Sequence, residues 1–246
     1  MKAFLATQSA ISLSHDPSNE PPVQLVTADD APIPAGSEGR PVSDRSVWLE
    51  LLREGLAFDL SGLAPGEGMP LPEVRHRFDL DAVPDDANFE ALVLSPGHHL
   101  AGGERTMPVV KGLIGLARDL VHNFEELEAI IWPASASVIG QRFFESITTA
   151  WLDGGPFPAL GLTAFEETHD GALQSVGLDF WIGQELLIEP PLSADKVAAT
   201  RMGVRLVNQL VLVGGVEESE RIVAPDGGRL VFRTSRNQRF IRVSRE

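Results

Sequence analysis

The sequence predicts an α+β fold in which an antiparallel or mixed sheet carries helices packed mainly on one face. Apolar residues alternate with polar residues and glycines from Val176 to Ile188, which is the period of a half-buried strand. Apolar residues recur at helical spacing from Thr106 to Val121. The pair Asp170-Gly171 is a turn signal that joins neighbouring strands antiparallel. Strands, helices and hairpins in one chain together indicate the α+β class.

The N-terminal segment, residues 1–88, has the least regular pattern. The polar loop Asp81–Asn88 is the predicted boundary, and we expect residues 1–88 to pack onto the main domain, residues 89–246. Short apolar runs predict three strands in this segment, and an N-cap residue before an apolar run predicts one helix: strands within Ala3–Leu13, Val23–Val26 and Val74–Leu80, and a helix capped by Asp44 or Ser46 and ending at Arg53.

Signals are stronger in the main domain, where prolines and glycines end each apolar run. The alternation from Val176 fails at Gln184, so we expect a bend or bulge at Gly183. The predicted elements are strands Phe89–Leu94, Glu128–Trp132, Ala159–Glu167, Val176–Ile188, Arg229–Thr234 and Gln238–Val243, and helices capped by Thr106, by Ser135 or Ser137, and by Ser193.

Composition excludes several classes of site and partner. The chain has 246 residues and no cysteine, so disulfides, thiolate nucleophiles and Cys-ligated zinc are absent. Its first residues do not read as a secretory signal, and no stretch approaches the roughly 20 apolar residues of a membrane span. We therefore expect a cytoplasmic protein without a membrane partner.

The net charge of −15 makes nucleic acid an unexpected partner, because phosphates would be repelled at long range. Seven arginines nevertheless follow Glu220. A hairpin with arginines on its solvent face explains this basic end; a basic tail on an acidic partner is the alternative.

The best polar cluster for chemistry lies between a predicted strand end and a helix start. It contains His98, His99 and Glu104, the candidate catalytic residues. The candidate metal ligands are His98, His99 and His169, although adjacent histidines point apart in an extended chain and chelate one ion only if the chain turns there. The alternative is a polar loop whose histidines cap backbone groups. No motif in the chain predicts a cofactor.

Two further clusters have simpler explanations. Ser135 and Ser137 could hold an anion at a helix start, but N-capping accounts for both. Glu166, Glu167, His169 and Asp170 invite a general-base or metal interpretation, but a solvated hairpin tip accounts for them.

The segments Ser175-Val176-Gly177-Leu178 and Gly183-Gln184-Glu185-Leu186-Leu187-Ile188 carry a resemblance. Their hydroxyl-x-Gly-aliphatic and Gly-x-Glu-aliphatic-x-aliphatic patterns resemble a bacterial domain family of unknown function, catalogued as number forty-two sixty-one. The resemblance covers roughly residues 89–243, with Ser175 where the family pattern has Thr. It implies an α+β domain of a bacterial cytoplasmic protein and implies no activity.

Two classes of function follow from these observations. The absence of catalytic motifs, the charge asymmetry and a second sheet face with Trp181 and Leu187 that needs a cover favour a non-catalytic binding or protein-interaction module, with a protein partner or self-association into a homodimer. The alternative is a metal-assisted hydrolase that uses the loop with His98, His99 and Glu104.

Overall fold

A computed structural model of the chain describes residues 11–15, 48–63, 68–84, 88–223 and 227–246. Within these residues helices and strands are mixed, which confirms the α+β class. In chain order the elements are β1 Ile11–His15, β2 Trp48–Arg53, β3 Leu56–Ser61, β4 His76–Phe78, β5 Val93–Pro96, α1 Met107–Asn123, β6 Ala129–Trp132, β7 Ser137–Gly140, α2 Gln141–Leu152, the one-turn α3 Ala159–Leu162, β8 Ala164–Glu167, β9 Leu173–Val176, the one-turn α4 Asp179–Ile182, β10 Glu185–Ile188, α5 Lys196–Val213, β11 Glu220–Val223, β12 Arg229–Thr234 and β13 Phe240–Arg245.

The chain divides into two compact units. The first contains Met1–Leu71 and Asp85–Leu113, and the second contains Pro72–Pro84 and Ile114–Glu246. Helix α1 therefore begins in the first unit and ends in the second. These two units differ from the predicted pair of segments, 1–88 and 89–246. The predicted strand Val23–Val26 lies outside the described residues.

The first unit is built on one antiparallel sheet with the order β1-β2-β3-β5. The helix predicted to end at Arg53 is wrong, because Trp48–Arg53 forms strand β2. Glu54 and Gly55 both have positive φ, 53° and 80°, and close a two-residue hairpin between β2 and β3. Tertiary pairing therefore overrides the apolar spacing that favoured a helix.

The core of the first unit lies on one face of this sheet. Leu51 pairs with Phe58 and both are fully buried. Gly112 of α1 lies over this face, and a Cβ on it would be 2.9 Å from Cζ of Phe58. The glycine in the middle of α1 thus permits close packing of the helix on the aromatic ring.

The second unit contains two mixed sheets, where the sequence suggested one sheet for the whole domain. One has the order β4-β7-β6, and the other the order β11-β12-β13-β10-β9-β8, in which β10 and β13 are parallel. Helix α5 packs on β9 and β10, and a Cβ on Gly203 would be 2.6 Å from the ring of Phe165. The predicted hairpin of β12 and β13 is confirmed.

The predicted strand Val176–Ile188 is interrupted. Strand β9 ends at Val176, the turn α4 follows, and β10 begins at Glu185. Gly183 ends α4 in the left-handed conformation with φ 76°, so the predicted break at this glycine is a helix C-cap. Strands β8 and β9 pair antiparallel, so the hairpin predicted at Asp170-Gly171 is present, but its second arm is Leu173–Val176 and not Val176–Ile188.

Two predicted helix caps are also wrong. Ser135 and Ser137 do not start a helix, because Pro133–Ser135 forms a 3₁₀ turn, Ser137 begins β7 and the helix begins at Gln141. Helix α5 is capped by Asp195, whose carboxylate accepts a hydrogen bond from the Ala198 N–H at 3.0 Å, and Ser193 is buried.

Candidate functional site

His98 and His99 lie on a 3₁₀ turn directly after β5, near the carboxylate of Glu50. The Gly97 N–H donates to the Ala57 carbonyl at 2.9 Å and fixes the turn to β3. The possible ligand atoms of Glu50, His98 and His99 all lie within 4.8 Å of one another. The fold therefore gathers two imidazoles and one carboxylate in the first unit.

Adjacent histidines point apart in an extended chain, but the 3₁₀ turn brings the side chains of His98 and His99 together. The ring centroids of His98 and His99 are 3.6 Å apart, with an interplanar angle of 44°. Both rings are exposed, whereas Glu50 is only 9% exposed. The site thus combines one buried glutamate with two exposed histidines.

A second carboxylate lies beside Glu50. Glu50 pairs directly with Asp59 on β3, and Asp59 pairs with Ser95 on β5. Residues at paired positions share a face of the sheet, and like charges placed so destabilise it. Oδ1 of Asp59 is buried and has no hydrogen-bond partner among the described residues. A cation at this site would offset both costs.

The donor set fits a divalent transition metal. Bonds of about 2.1 Å at tetrahedral angles place ligand atoms about 3.4 Å apart. The observed limit of 4.8 Å therefore requires movements of roughly an ångström, which rotation of two exposed imidazole rings can supply. Mixed imidazole and carboxylate ligands are typical of zinc, nickel, iron and manganese sites.

Two predicted site residues are not part of this group. Glu104 is exposed on the following loop, and hydrogen bonds from its own N–H and that of Gly102 lower its carboxyl pKa. His169 belongs to the second unit and is exposed at the tip of the β8-β9 hairpin. The carboxylate that joins His98 and His99 is Glu50.

Sequence reasoning missed Glu50 because it assigned this segment to a helix. The available signal was an acidic residue between two leucines, followed by Glu54-Gly55 and a second apolar run. That arrangement is typical of a β-hairpin with one polar position per strand.

A second polar centre lies around Glu185, in the segment for which a family resemblance is predicted. The carboxylate of Glu185 accepts hydrogen bonds from the Gly177 N–H at 2.7 Å, from the N–H groups of Leu178 and Asp179 at 3.3 Å each, and from the Ser175 hydroxyl. The Ser175 oxygen in turn accepts the Leu186 N–H at 2.7 Å. These residues cap α4 and join it to β9 and β10, which is a structural role.

Burial dominates the titration of this centre. Desolvation raises the pKa of Glu185 to about 7, against the lowering effect of the hydrogen bonds from Ser175 and the backbone; the nearby Asp179 charge raises it further. This group therefore changes charge near neutral pH.

The other two polar clusters have local partners. The buried Ser135 hydroxyl donates to Ser137 Oγ at 2.7 Å and to the Gly161 carbonyl at 3.1 Å, so it does not point to an anion. At the exposed hairpin tip the Thr168 hydroxyl donates to Asp170 and lowers the pKa of that carboxyl.

The basic C-terminal end forms an arginine-bearing hairpin exposed to solvent, as predicted. Arg233, Arg242 and Arg245 are exposed, and Nε of Arg242 donates to Glu189 at 2.6 Å. Glu246 forms ion pairs with Arg221 and Arg229. Several of these cations therefore have carboxylate partners within the unit.

Comparison of the chain with protein-family models, curated proteins and solved structures finds no match. The resemblance of Ser175–Ile188 to a bacterial domain family stays a prediction. Within the part of the chain that the structure describes, no helix combines the length and apolar character needed to cross a bilayer.

Proposed function

We propose that the first unit binds one divalent transition-metal ion, of the zinc type, through Glu50, His98 and His99. The observation that carries the proposal is the convergence of these three possible ligands within 4.8 Å around a buried carboxylate. The unpartnered oxygen of Asp59, at the paired position beside Glu50, supports it because it adds negative charge that a cation would neutralise.

The proposal keeps the expectation of a binding module in the bacterial cytoplasm and adds a metal ion as one ligand of that module. A protein partner or a second copy of the chain remains part of the expectation.

Metal-assisted hydrolysis is the second candidate, favoured by the exposure of both histidines. Three protein ligands with an open, solvent-facing position are typical of catalytic zinc sites, where the fourth ligand is water. The roles in this version differ from the sequence prediction, because Glu50 replaces Glu104 as the carboxylate ligand.

Isothermal titration calorimetry of the metal-free protein with zinc, nickel and manganese tests the binding proposal. We expect one ion per chain with a dissociation constant at or below the micromolar range, and a raised melting temperature at excess metal. E50Q, H98Q and H99Q each remove one ligand, so each should weaken binding at least about tenfold.

E104Q and H169Q are matched controls, because they make the same chemical changes at exposed residues outside the group. We expect both to bind metal like the wild type. Absence of binding by the wild type, or equal losses in the control and ligand variants, contradicts the proposal. Hydrolysis of activated ester and phosphate substrates by the metal-loaded protein, lost in E50Q, separates the second candidate from simple binding.

A further inference from the structure

Helix α5 carries exposed apolar residues on the face turned away from its sheet. Its inner face is buried through Ala199, Gly203, Leu206, Val207 and Leu210. On the opposite face Val197 is 62% exposed and Leu212 is 82% exposed, with Val204 between them. The spacings of seven and eight residues place all three on one side of the helix. Arg201, Arg205 and Asn208 lie on the same side, so the exposed apolar side chains there alternate with basic and polar ones.

The N-terminal half of this face forms a groove. A cavity of about 530 Å³ lies between Leu160 of α3 and residues of α5, with Val197 and Val204 among its walls. Arg201 and Arg205 also line it and are exposed. It is an open groove whose lining surface is mainly apolar.

The charge of α5 is opposite to that of the chain as a whole. The helix contains Lys196, Arg201 and Arg205 and no acidic residue, whereas the chain carries −15. Nζ of Lys196 forms an ion pair with Glu167 at 2.9 Å and donates a hydrogen bond to the Gly171 carbonyl. Arg201 and Arg205 are one turn apart on one face, an arrangement of like charges that destabilises a helix. Carboxylates placed against them would reverse that effect.

We propose that the outer face of α5 binds an acidic amphipathic helix of a partner protein. The face is an 18-residue helix, about 27 Å long, with apolar positions near both ends. An amphipathic helix laid along it would cover Val197, Val204 and Leu212 with one stripe. Glutamates one turn apart at its edge would pair with Arg201 and Arg205, whose planar guanidinium groups suit two-point binding of carboxylates.

Fluorescence anisotropy with a labelled designed peptide tests this proposal on the full chain. The probe is an alanine-based helix with leucines at helical spacing and glutamates flanking the leucine stripe. We expect saturable binding in the micromolar range that weakens as salt rises. A scrambled peptide of equal composition, which has no continuous stripe, should bind at least about tenfold more weakly.

Charge reversal identifies the face. R201E/R205E should weaken binding of the glutamate peptide at least about tenfold, and should bind a peptide in which lysines replace the glutamates. R142E/R236E is the matched control, because both arginines are exposed elsewhere in the second unit. V197S/V204S tests the apolar contribution and should also weaken binding. Circular dichroism and melting temperatures verify that each variant is folded.

The proposal is overturned if the wild type does not bind the glutamate peptide at about 100 µM. Equal binding of the scrambled peptide, or equal losses in both double variants, also overturns it. Binding of anionic phosphatidylglycerol vesicles through Arg201 and Arg205, without peptide binding, would assign this face to a membrane surface instead. None of these results depends on the metal site.

Discussion

Glu50 of β2 and Asp59 of β3 occupy directly paired positions of one antiparallel sheet, so two carboxylates share the same face. Oδ1 of Asp59 is buried without a hydrogen-bond partner among the described residues, while possible ligand atoms of Glu50, His98 and His99 lie within 4.8 Å of one another. Local stability would favour an apolar or oppositely charged pair here. A cation bound here, as we propose, would offset the cost of the paired carboxylates.

The first prediction concerns this pair. D59N removes one of two neighbouring negative charges, and we expect it to stabilise the metal-free protein by about 1 kcal/mol. The same change should reduce the stabilisation that zinc provides, because negative charge beside the metal is lost. Urea unfolding with and without zinc measures both effects.

D153N is the control, since Asp153 is exposed after α2 in the second unit. It should alter neither measurement by more than about 0.5 kcal/mol. A D59N protein that is less stable without metal, and equally stabilised by zinc, would contradict the cation interpretation.

The second prediction concerns the contact of α1 with Phe58. G112A places a methyl group 2.9 Å from Cζ of Phe58, and we expect a loss of about 1–3 kcal/mol despite the better helix propensity of alanine. Combining it with F58L should cost less than the sum of the single changes, because the added methyl enters space that the ring vacates. Denaturant unfolding of the four proteins gives this coupling, and simple additivity would refute the packing argument.

The third prediction is a pH dependence of stability from Glu185. Its folded-state pKa of about 7 lies above the ordinary value of 4.5, so the folded state binds more protons than the unfolded state between these pH values. Stability supplied by this group is therefore present below about pH 4.5 and falls as pH rises to about 7, by at most about 3 kcal/mol.

Comparison with E185Q isolates this dependence, because the glutamine does not titrate. The stability of the wild type relative to E185Q should decline across that window in urea unfolding at several pH values. A constant difference between the two proteins would exclude the raised pKa.

The fourth prediction concerns Ser175, which bridges Glu185 and the Leu186 N–H. S175A leaves both groups without this partner in a buried position, and we expect a loss of about 1–3 kcal/mol. It should also move the Glu185 transition to higher pH, because the hydrogen bond from Ser175 lowers the pKa of Glu185. S219A, at an exposed position before β11, is the control and should produce no shift in the Glu185 transition. An unchanged transition in S175A would show that the serine does not tune the carboxyl.

Elements with strong local patterns were predictable from the sequence. Helix α1 has apolar residues at helical spacing over many turns, and the β12-β13 hairpin has two strands close together in the chain. In both cases neighbouring residues contain the whole signal, through hydrophobic periodicity and a short connection.

Local patterns failed where pairing or burial of distant residues decided the conformation. The segment Trp48–Arg53 carries helical spacing but pairs with β1 and β3. The alternation from Val176 to Ile188 continues through α4. The carboxylate of Glu185 accepts the Gly177 N–H there, eight residues earlier in the chain, and so caps the turn. Periodicity does not distinguish these outcomes, because it reports burial and not the partner that buries the residue.

By itself the sequence determined the α+β class, the absence of cysteine chemistry and the two histidines of the candidate site. Only the tertiary structure decided that their carboxylate is Glu50 and not Glu104, five residues from His99 in the chain. The β2-β3 hairpin and the pairing of β3 with β5 bring residues 50 and 98 together. A binding site needs side chains that are close in space, and strand pairing creates that proximity between residues far apart in the sequence.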